Sequence, residues 1–250
     1  MRVLICGRLA VESDDVVVSE TALPGRLGRR LWAYLVLNRR RPVGRPELIT
    51  ALWDDESPDA ADTSLNALVS RVRGAVAHLG DDVELRATSG SYSLHLPTEV
   101  FVDRERAWTA INHVQAIRRE GRVRDAWSEA VIAHEIVARG FLPGEDAPWI
   151  EAERRTLRDI EVQALEAICD AEIDQGRSLE AERVARQLIA RDSLREAGYR
   201  CLMRALVLSG NAAQVANVMD ECRAALAVVG ARPSAETERV FRLTLALRSS

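Results

Sequence analysis

After about Phe101 the strand pattern of this chain ends, and helix follows helix to the C-terminus. Apolar residues recur at three- and four-residue steps over 103–119, 123–139, 149–175, 178–191, 195–209, 212–229 and 234–247. Such segments cannot close a sheet. Each must bury its apolar stripe against a neighbouring helix. Glycine punctuates them in three similar turns, "REGRVRDA", "DQGRSLEA" and "LSGNAAQV", at Gly121, Gly176 and Gly210. Five positions after each glycine stands a small or β-branched residue: Ala126, Ala181 and Val215. Residues of that size let paired helices approach closely.

Two readings of this region stay open. Gly176 to Gly210 is 34 residues, the period of tetratricopeptide-like (TPR-like) helical hairpins. The interval from Gly121 to Gly176 is longer, and "GFLPGEDAPW" breaks the helical run there. A single clear interval also suits an ordinary helical bundle. Either way the region reads as an interaction scaffold.

The first hundred residues are mixed. "RVLIC" and "DVVVS" are short, β-branched and bounded by polar residues or Gly, which predicts strands. "GRLGRRLWAYLVLNRR" carries apolar residues at Leu27, Leu31, Tyr34, Leu35 and Val36, a helical period. "RPELITALW" predicts a short second helix with Pro46 at a permitted early position. The polar turn "DDESPDAAD" leads to a long helix, "TSLNALVSRVRGAVAHLG", with Asp62 or Thr63 as its cap. "DVELRATSGSYSLHL" then predicts a hairpin about a Ser-Gly turn. Short helix, turn, longer helix and hairpin are the order of a winged helix-turn-helix, whose longer helix enters the major groove.

On a helical wheel Leu65, Val69, Val72, Val76 and Leu79 share one face, with Leu68 at its edge. Thr63, Ala67, Ser70 and Gly74 lie opposite, flanked by Asn66 and Arg73 on one side and Ser64 and Arg71 on the other. Small residues permit close approach to base edges. Arg pairs bidentately with guanine and Asn with adenine. A solvated amphipathic helix is the bland alternative, and on the helix alone the two readings are even.

Charge tips that balance. The net charge of −4 does not advertise a nucleic-acid binder, but its distribution is uneven. Seven arginines and no acid lie between Arg26 and Arg45, among them Arg29, Arg30 and Arg45, which read as phosphate contacts. All 34 positive charges are arginine.

Enzyme signatures are missing from the sequence. There is no phosphate loop, dinucleotide fingerprint, GxSxG or HExxH. The four histidines are isolated, and the four cysteines form no CxxC pair and read as buried thiols. No catalytic residue, metal or cofactor is therefore expected. No apolar run has membrane-spanning length, and "MRVLICGRLAV" is not a signal peptide, so a cytoplasmic location is expected.

The run "ELITALWDDESPDAADTSLNALVSRVRGAV" resembles the winged-helix domain of the Streptomyces antibiotic regulatory protein (SARP) family. That domain is similar to the DNA-binding half of two-component response regulators. The "LW" ending the short helix, the Pro in the turn and "SLxxxVSRVR" carry the likeness. "PGEDAPWIEAERRTLRDIEVQALEA" and "LREAGYRCLMRALVLSGN" resemble the bacterial transcriptional activator domain, which in that family is helical and TPR-like. The expected fold is thus an α+β winged helix-turn-helix domain over 1–97, then an all-α TPR-like domain over 98–250.

The resemblance also implies roles. Arg71 and Arg73 match recognition-helix arginines, and Arg45 and Trp53 match positions that reach phosphates. Arg86, Thr88 and Ser91 fall in the wing, where Thr88 and Ser93 replace arginines usual in the family. Asp62 stands where a basic residue is common. The implied function is an activator of a biosynthetic cluster, such as one for antibiotic biosynthesis. It would bind direct repeats in double-stranded promoter DNA, as tandem copies or a homodimer. It would recruit RNA polymerase through the sigma or alpha subunit. With no receiver domain ahead and no ATPase or phosphothreonine-binding domain behind, a small stand-alone member is expected. A TPR-like scaffold with weak or lost DNA binding is the alternative.

Overall fold

The structure is a computed structural model that describes residues 1–13, 16–54, 58–80 and 83–246. Residues 15, 55–57, 82 and 247 of the expected elements lie outside the described residues. The chain forms two compact units. One comprises Met1–Arg106 with Arg139–Leu157, the other Ala107–Ala138 with Arg158–Ser250. A single cut at 97/98 does not follow this packing, because the segment 139–157 belongs with the first unit.

The first unit opens with β1 (Arg2–Leu4), β2 (Ala10–Ser13) and β3 (Val16–Ser19). With β7 (Phe101–Val102) they form a four-stranded sheet in the order β3-β2-β1-β7, parallel only between β1 and β7. The sequence reading misses β2, whose AVES lacks the β-branched run of β3, and β7, which has only two residues. It also extends the first strand too far. After Leu4 the N–H groups of Ile5 and Cys6 find no ladder partner. They donate instead to the Asp103 carboxylate, each at 3.0 Å.

Next come α1 (Gly25–Leu37), the two-residue β4 (Val43–Gly44), α2 (Arg45–Trp53) and α3 (Ala61–Val76). Pro46 sits at the start of α2, where its missing N–H costs no helical bond. The hairpin of β5 (Glu84–Thr88) and β6 (Ser91–His95) follows, and β4 completes a sheet of order β4-β6-β5. Leu31, Trp32, Leu35, Leu48, Leu52 and Leu65 are buried to within 1% of complete and form the core between the three helices. Among the described residues the expected order of helix, helix, longer helix and hairpin is present.

The α3 cap differs from expectation. The helix begins two residues earlier, behind Ala60, with no side-chain cap. Asp62 lies in the first turn, where its charge complements the helix dipole without capping.

In the second unit the helices are α4 (Asp103–Arg119, entering it at Ala107), α5 (Trp127–Val137), α6 (Pro148–Asp174, entering it at Arg158), α7 (Ser178–Arg191), α8 (Glu196–Leu208), α9 (Val215–Ala227) and α10 (Ala235–Ala246). α7 packs on α8, and α8 on α9 and α10. The three glycine turns share one geometry. Gly121, Gly176 and Gly210 have φ of 75°, 75° and 78°. The residue after each donates to the carbonyl five residues before it: Arg122 to Ile117, Arg177 to Glu172, Asn211 to Leu206. This is the Schellman closure, which needs the left-handed conformation that glycine adopts freely. Gly230 repeats it, a fourth case not read from the sequence. Ala126, Ala181 and Val215 are each wholly buried, as their spacing behind the glycines predicts.

Candidate nucleic-acid interface

α3 is held by one face and open on the other. Leu65, Leu68, Val69, Val72 and Val76 are buried, each worth about 1.5–3 kcal/mol of transfer free energy. Thr63, Asn66, Ala67, Ser70, Arg71, Arg73 and Gly74 are exposed. The wheel therefore holds, except that Leu79 is buried from a short 3-10 turn (Ala77–Leu79) beyond the helix.

Arg45, Asn66 and Arg73 are already engaged. Arg45 donates to the Asn66 side-chain oxygen and, at 3.2 Å, to Asp62 Oδ1. Tyr92 O–H donates to the same Asn66 oxygen at 3.1 Å, and the Arg45 guanidinium lies 5.8 Å from the Tyr92 ring centre. The Arg45 N–H donates to Gly90 O at 2.9 Å, tying α2 to the hairpin turn. Arg73 Nε donates to Leu85 O at 2.7 Å and so fastens α3 to β5. Arg71 makes only a long 3.4 Å contact with Ala67 O in its own helix. It is the more available of the two arginines. An open groove of about 890 Å³ runs between the end of α3 and β5, lined by Arg73, Val76, Ala77, Leu85, Arg86 and Thr88.

The wing offers little free charge. Arg86 is ion-paired with Glu84 at 2.6 Å, which holds the Glu84 carboxyl below its usual range. Thr88 is exposed, while Ser91 is half-buried and donates to Thr88 O. Trp53 is half-buried at the end of α2.

The arginine-rich segment is the main correction. Arg30 is buried and ion-paired with Glu145 at 2.6 Å and Asp146 at 3.1 Å, and donates to Leu52 O. It is not placed to meet a phosphate. Arg29 lies 3.8 Å from Glu145, and Arg26 pairs with Glu145 and Asp146. Arg39 and Arg40 pair with Glu105, Arg41 with Glu47, and Arg45 with Asp62. Every one of the seven arginines thus faces a carboxylate. Around Glu105, burial works against ionisation, but the hydrogen bonds from Arg39 and Arg40 prevail and lower its pKa.

Glu47 shows the strength of this pairing. Hydrogen bonds from Arg41 outweigh burial and, with the Tyr34 hydroxyl at 2.7 Å, hold its carboxyl down at about 2. Burial and the same Glu47 contact push the Tyr34 hydroxyl up to about 12. A folded pKa below the unfolded 4.5 adds stability above pH 4.5 that is lost as pH falls toward 2. The Glu47 side chain is 35% exposed, so screening reduces the gain to about 1 kcal/mol. The stability difference between wild type and Glu47→Gln should shrink by that amount between pH 6 and pH 3 in urea titrations. An unchanged difference contradicts the linkage.

Residues 139–157 close the back of this unit. Trp149 Nε1 donates to Ala51 O at 2.8 Å, and its ring meets Tyr34 and Phe141 edge-on at 5.0 and 6.0 Å. The family model of the bacterial transcriptional activator domain matches residues 102–245, which include this segment.

The chain belongs to the bacterial transcriptional activator domain family.

Its relatives in that setting are transcription regulators. The regulatory protein AfsR of Streptomyces coelicolor is 31% identical over 199 residues, 80% of this chain and 20% of AfsR. The transcriptional regulatory protein EmbR of Mycobacterium tuberculosis is 42% identical over 71 residues, 28% of this chain and 18% of EmbR. The structure of Mycobacterium tuberculosis EmbR in complex with a low-affinity phosphopeptide superposes with a TM-score of 0.84 at 26% identity, covering 97% of this chain and 64% of that one. The chain spans about a fifth of the length of these curated relatives. The likeness to SARP-family regulators read from "SLxxxVSRVR" and "PGEDAPW" holds over most of the chain. Among the described residues no helix is long and apolar enough to cross a membrane.

Proposed function

We propose that this activator-domain protein is a sequence-specific DNA-binding activator. In this reading α3 is the recognition helix of a winged helix-turn-helix, and the β5–β6 hairpin is its wing. The observation that carries it is the exposed face of α3, where Thr63, Asn66, Ala67, Ser70, Arg71 and Arg73 surround a surface small enough to enter the major groove. Arg71 reads a base. Arg73 supports the wing and reaches DNA through the guanidinium nitrogens that Leu85 does not use. Arg45, Trp53, Thr88 and Ser91 lie nearer the backbone. The first unit carries DNA contact. The second unit, with TPR-like helical hairpins, carries contact with RNA polymerase. Direct repeats, tandem binding and control of a biosynthetic cluster follow from the likeness to SARP-family regulators.

A mobility-shift titration with DNA upstream of the neighbouring genes tests this. Arg71→Ala should weaken specific binding roughly 5- to 150-fold, the worth of about 1–3 kcal/mol for one base contact. No salt-sensitive binding to any such fragment by the wild type sinks the proposal.

One observation favours a second reading, a scaffold with weak DNA affinity: the seven arginines and Arg86 are ion-paired. In that case binding should depend only weakly on salt, since few phosphates are neutralised.

A further inference from the structure

We propose that Asp62 is a built-in competitor for phosphate that restrains DNA affinity by occupying Arg45. This rests on the DNA-binding reading above and adds a positioning residue to it. Arg45 begins α2 and Asp62 stands in the first turn of α3, so the pair spans the two helices of the helix-turn-helix. The Arg45 side chain is 26% exposed and Asp62 72% exposed. Arg45 Nη1 lies 3.2 Å from Asp62 Oδ1 and reaches the Asp62 carbonyl at 3.5 Å. Arg45 also holds the Asn66 oxygen, which Tyr92 shares.

The consequence is twofold. In this arrangement the guanidinium is neutralised by a carboxylate on the surface that would meet DNA. The Asn66 oxygen is spent as an acceptor for Arg45 and Tyr92, so a bidentate contact with adenine needs at least one of them to let go. A DNA phosphate near Arg45 competes with Asp62 for the same donors, while the Asp62 charge repels that phosphate. The ion pair is exposed enough to open readily. Its opening is therefore a step in binding, and its closed form keeps the free protein from holding DNA indiscriminately.

Replacing Asp62 with Asn keeps the shape and removes the competing charge. Asp59 provides a control, being an exposed acid in the same turn region that has no contact with Arg45 among the described residues. The 250-residue chain and its Asp62→Asn, Asp59→Asn, Arg45→Ala and Arg45→Ala/Asp62→Asn variants are titrated by fluorescence anisotropy. The probe is a labelled 30-base-pair duplex of arbitrary GC-rich sequence at 50–200 mM salt. Asp62→Asn should tighten binding about three- to tenfold at the lowest salt. It should steepen the log-affinity against log-salt slope by about one, the signature of one further phosphate contact. Asp59→Asn should change both much less. In the Arg45→Ala background the Asp62→Asn gain should fall to the Asp59→Asn level. A gain that equals the control, or survives without Arg45, overturns the proposal. No binding by wild type or any variant at 50 mM salt, to this duplex or to the upstream fragments, overturns the DNA-binding reading itself and the competitor role with it.

Discussion

Glu145→Ala should lower the stability of the N-terminal unit by about 3–5 kcal/mol, seen as a drop on the order of 10 °C in its thermal midpoint. Glu145 is 5% exposed at its side chain and Arg30 7%, so both charges are out of water. Glu145 Oε2 receives Nε of Arg30 and of Arg26, each at 2.6 Å, and Arg29 stands 3.8 Å from Oε1. Removing the carboxylate leaves three guanidinium groups around the single charge of Asp146, which is 88% exposed and a poor substitute. Arg30 keeps Leu52 O as an acceptor but loses the partner of its Nε. A buried charge without its partner is the costly state. The double variant Arg30→Met/Glu145→Met should therefore recover most of the loss, because it removes both desolvated charges and keeps the volume. Differential scanning calorimetry on the three variants decides it. A Glu145→Ala midpoint within a degree of wild type contradicts the ion-pair reading.

Asp103→Ala should cost a similar amount, about 3–5 kcal/mol, by a different route. Asp103 is 1% exposed and accepts from Ile5 N at 3.0 Å, Cys6 N at 3.0 Å and Arg104 N at 2.8 Å. Ile5 and Cys6 are buried to within 1% of complete, so their N–H groups have no water to turn to. Each buried donor left unmatched costs about 1–3 kcal/mol. Burial raises the Asp103 pKa in spite of these three donors. Its ionisation in the fold thus works against stability as pH rises through the folded pKa. What the residue contributes is acceptor geometry. It continues the pairing of β1 where the two-residue β7 stops. Asp103→Asn keeps one acceptor oxygen but sets an N–H₂ against an N–H, and should fall between wild type and Ala. Urea unfolding followed by circular dichroism measures both. Equal stability of the Ala variant and wild type contradicts this role.

Several elements were legible because their signals are local. The apolar period of α3 predicted its buried and exposed faces residue by residue. The three glycine turns predicted where helices end, since the Schellman closure depends only on the few residues around it. Short strands were less legible. β4 and β7 span two residues each, too few for any pattern, and β2 (AVES) lacks the β-branched run that marks β3. They exist because β1 and β6 offer them partners. The Tyr92 contact with Asn66 was also beyond reach, since 26 residues separate the two and only the hairpin fold brings them together.

By itself the sequence determined which face of α3 would be buried and where several helices stop, because backbone period and turn chemistry act over a few residues. It could not determine the state of the seven arginines between Arg26 and Arg45. In the linear chain they form a run without an acid. In the folded unit Glu47, Asp62, Glu105, Glu145 and Asp146 meet them. Coulomb attraction depends on distance through space and on burial, neither of which chain order records. The tertiary structure alone therefore decided that this segment is ion-paired, and that Arg71 stays exposed on the open edge of α3.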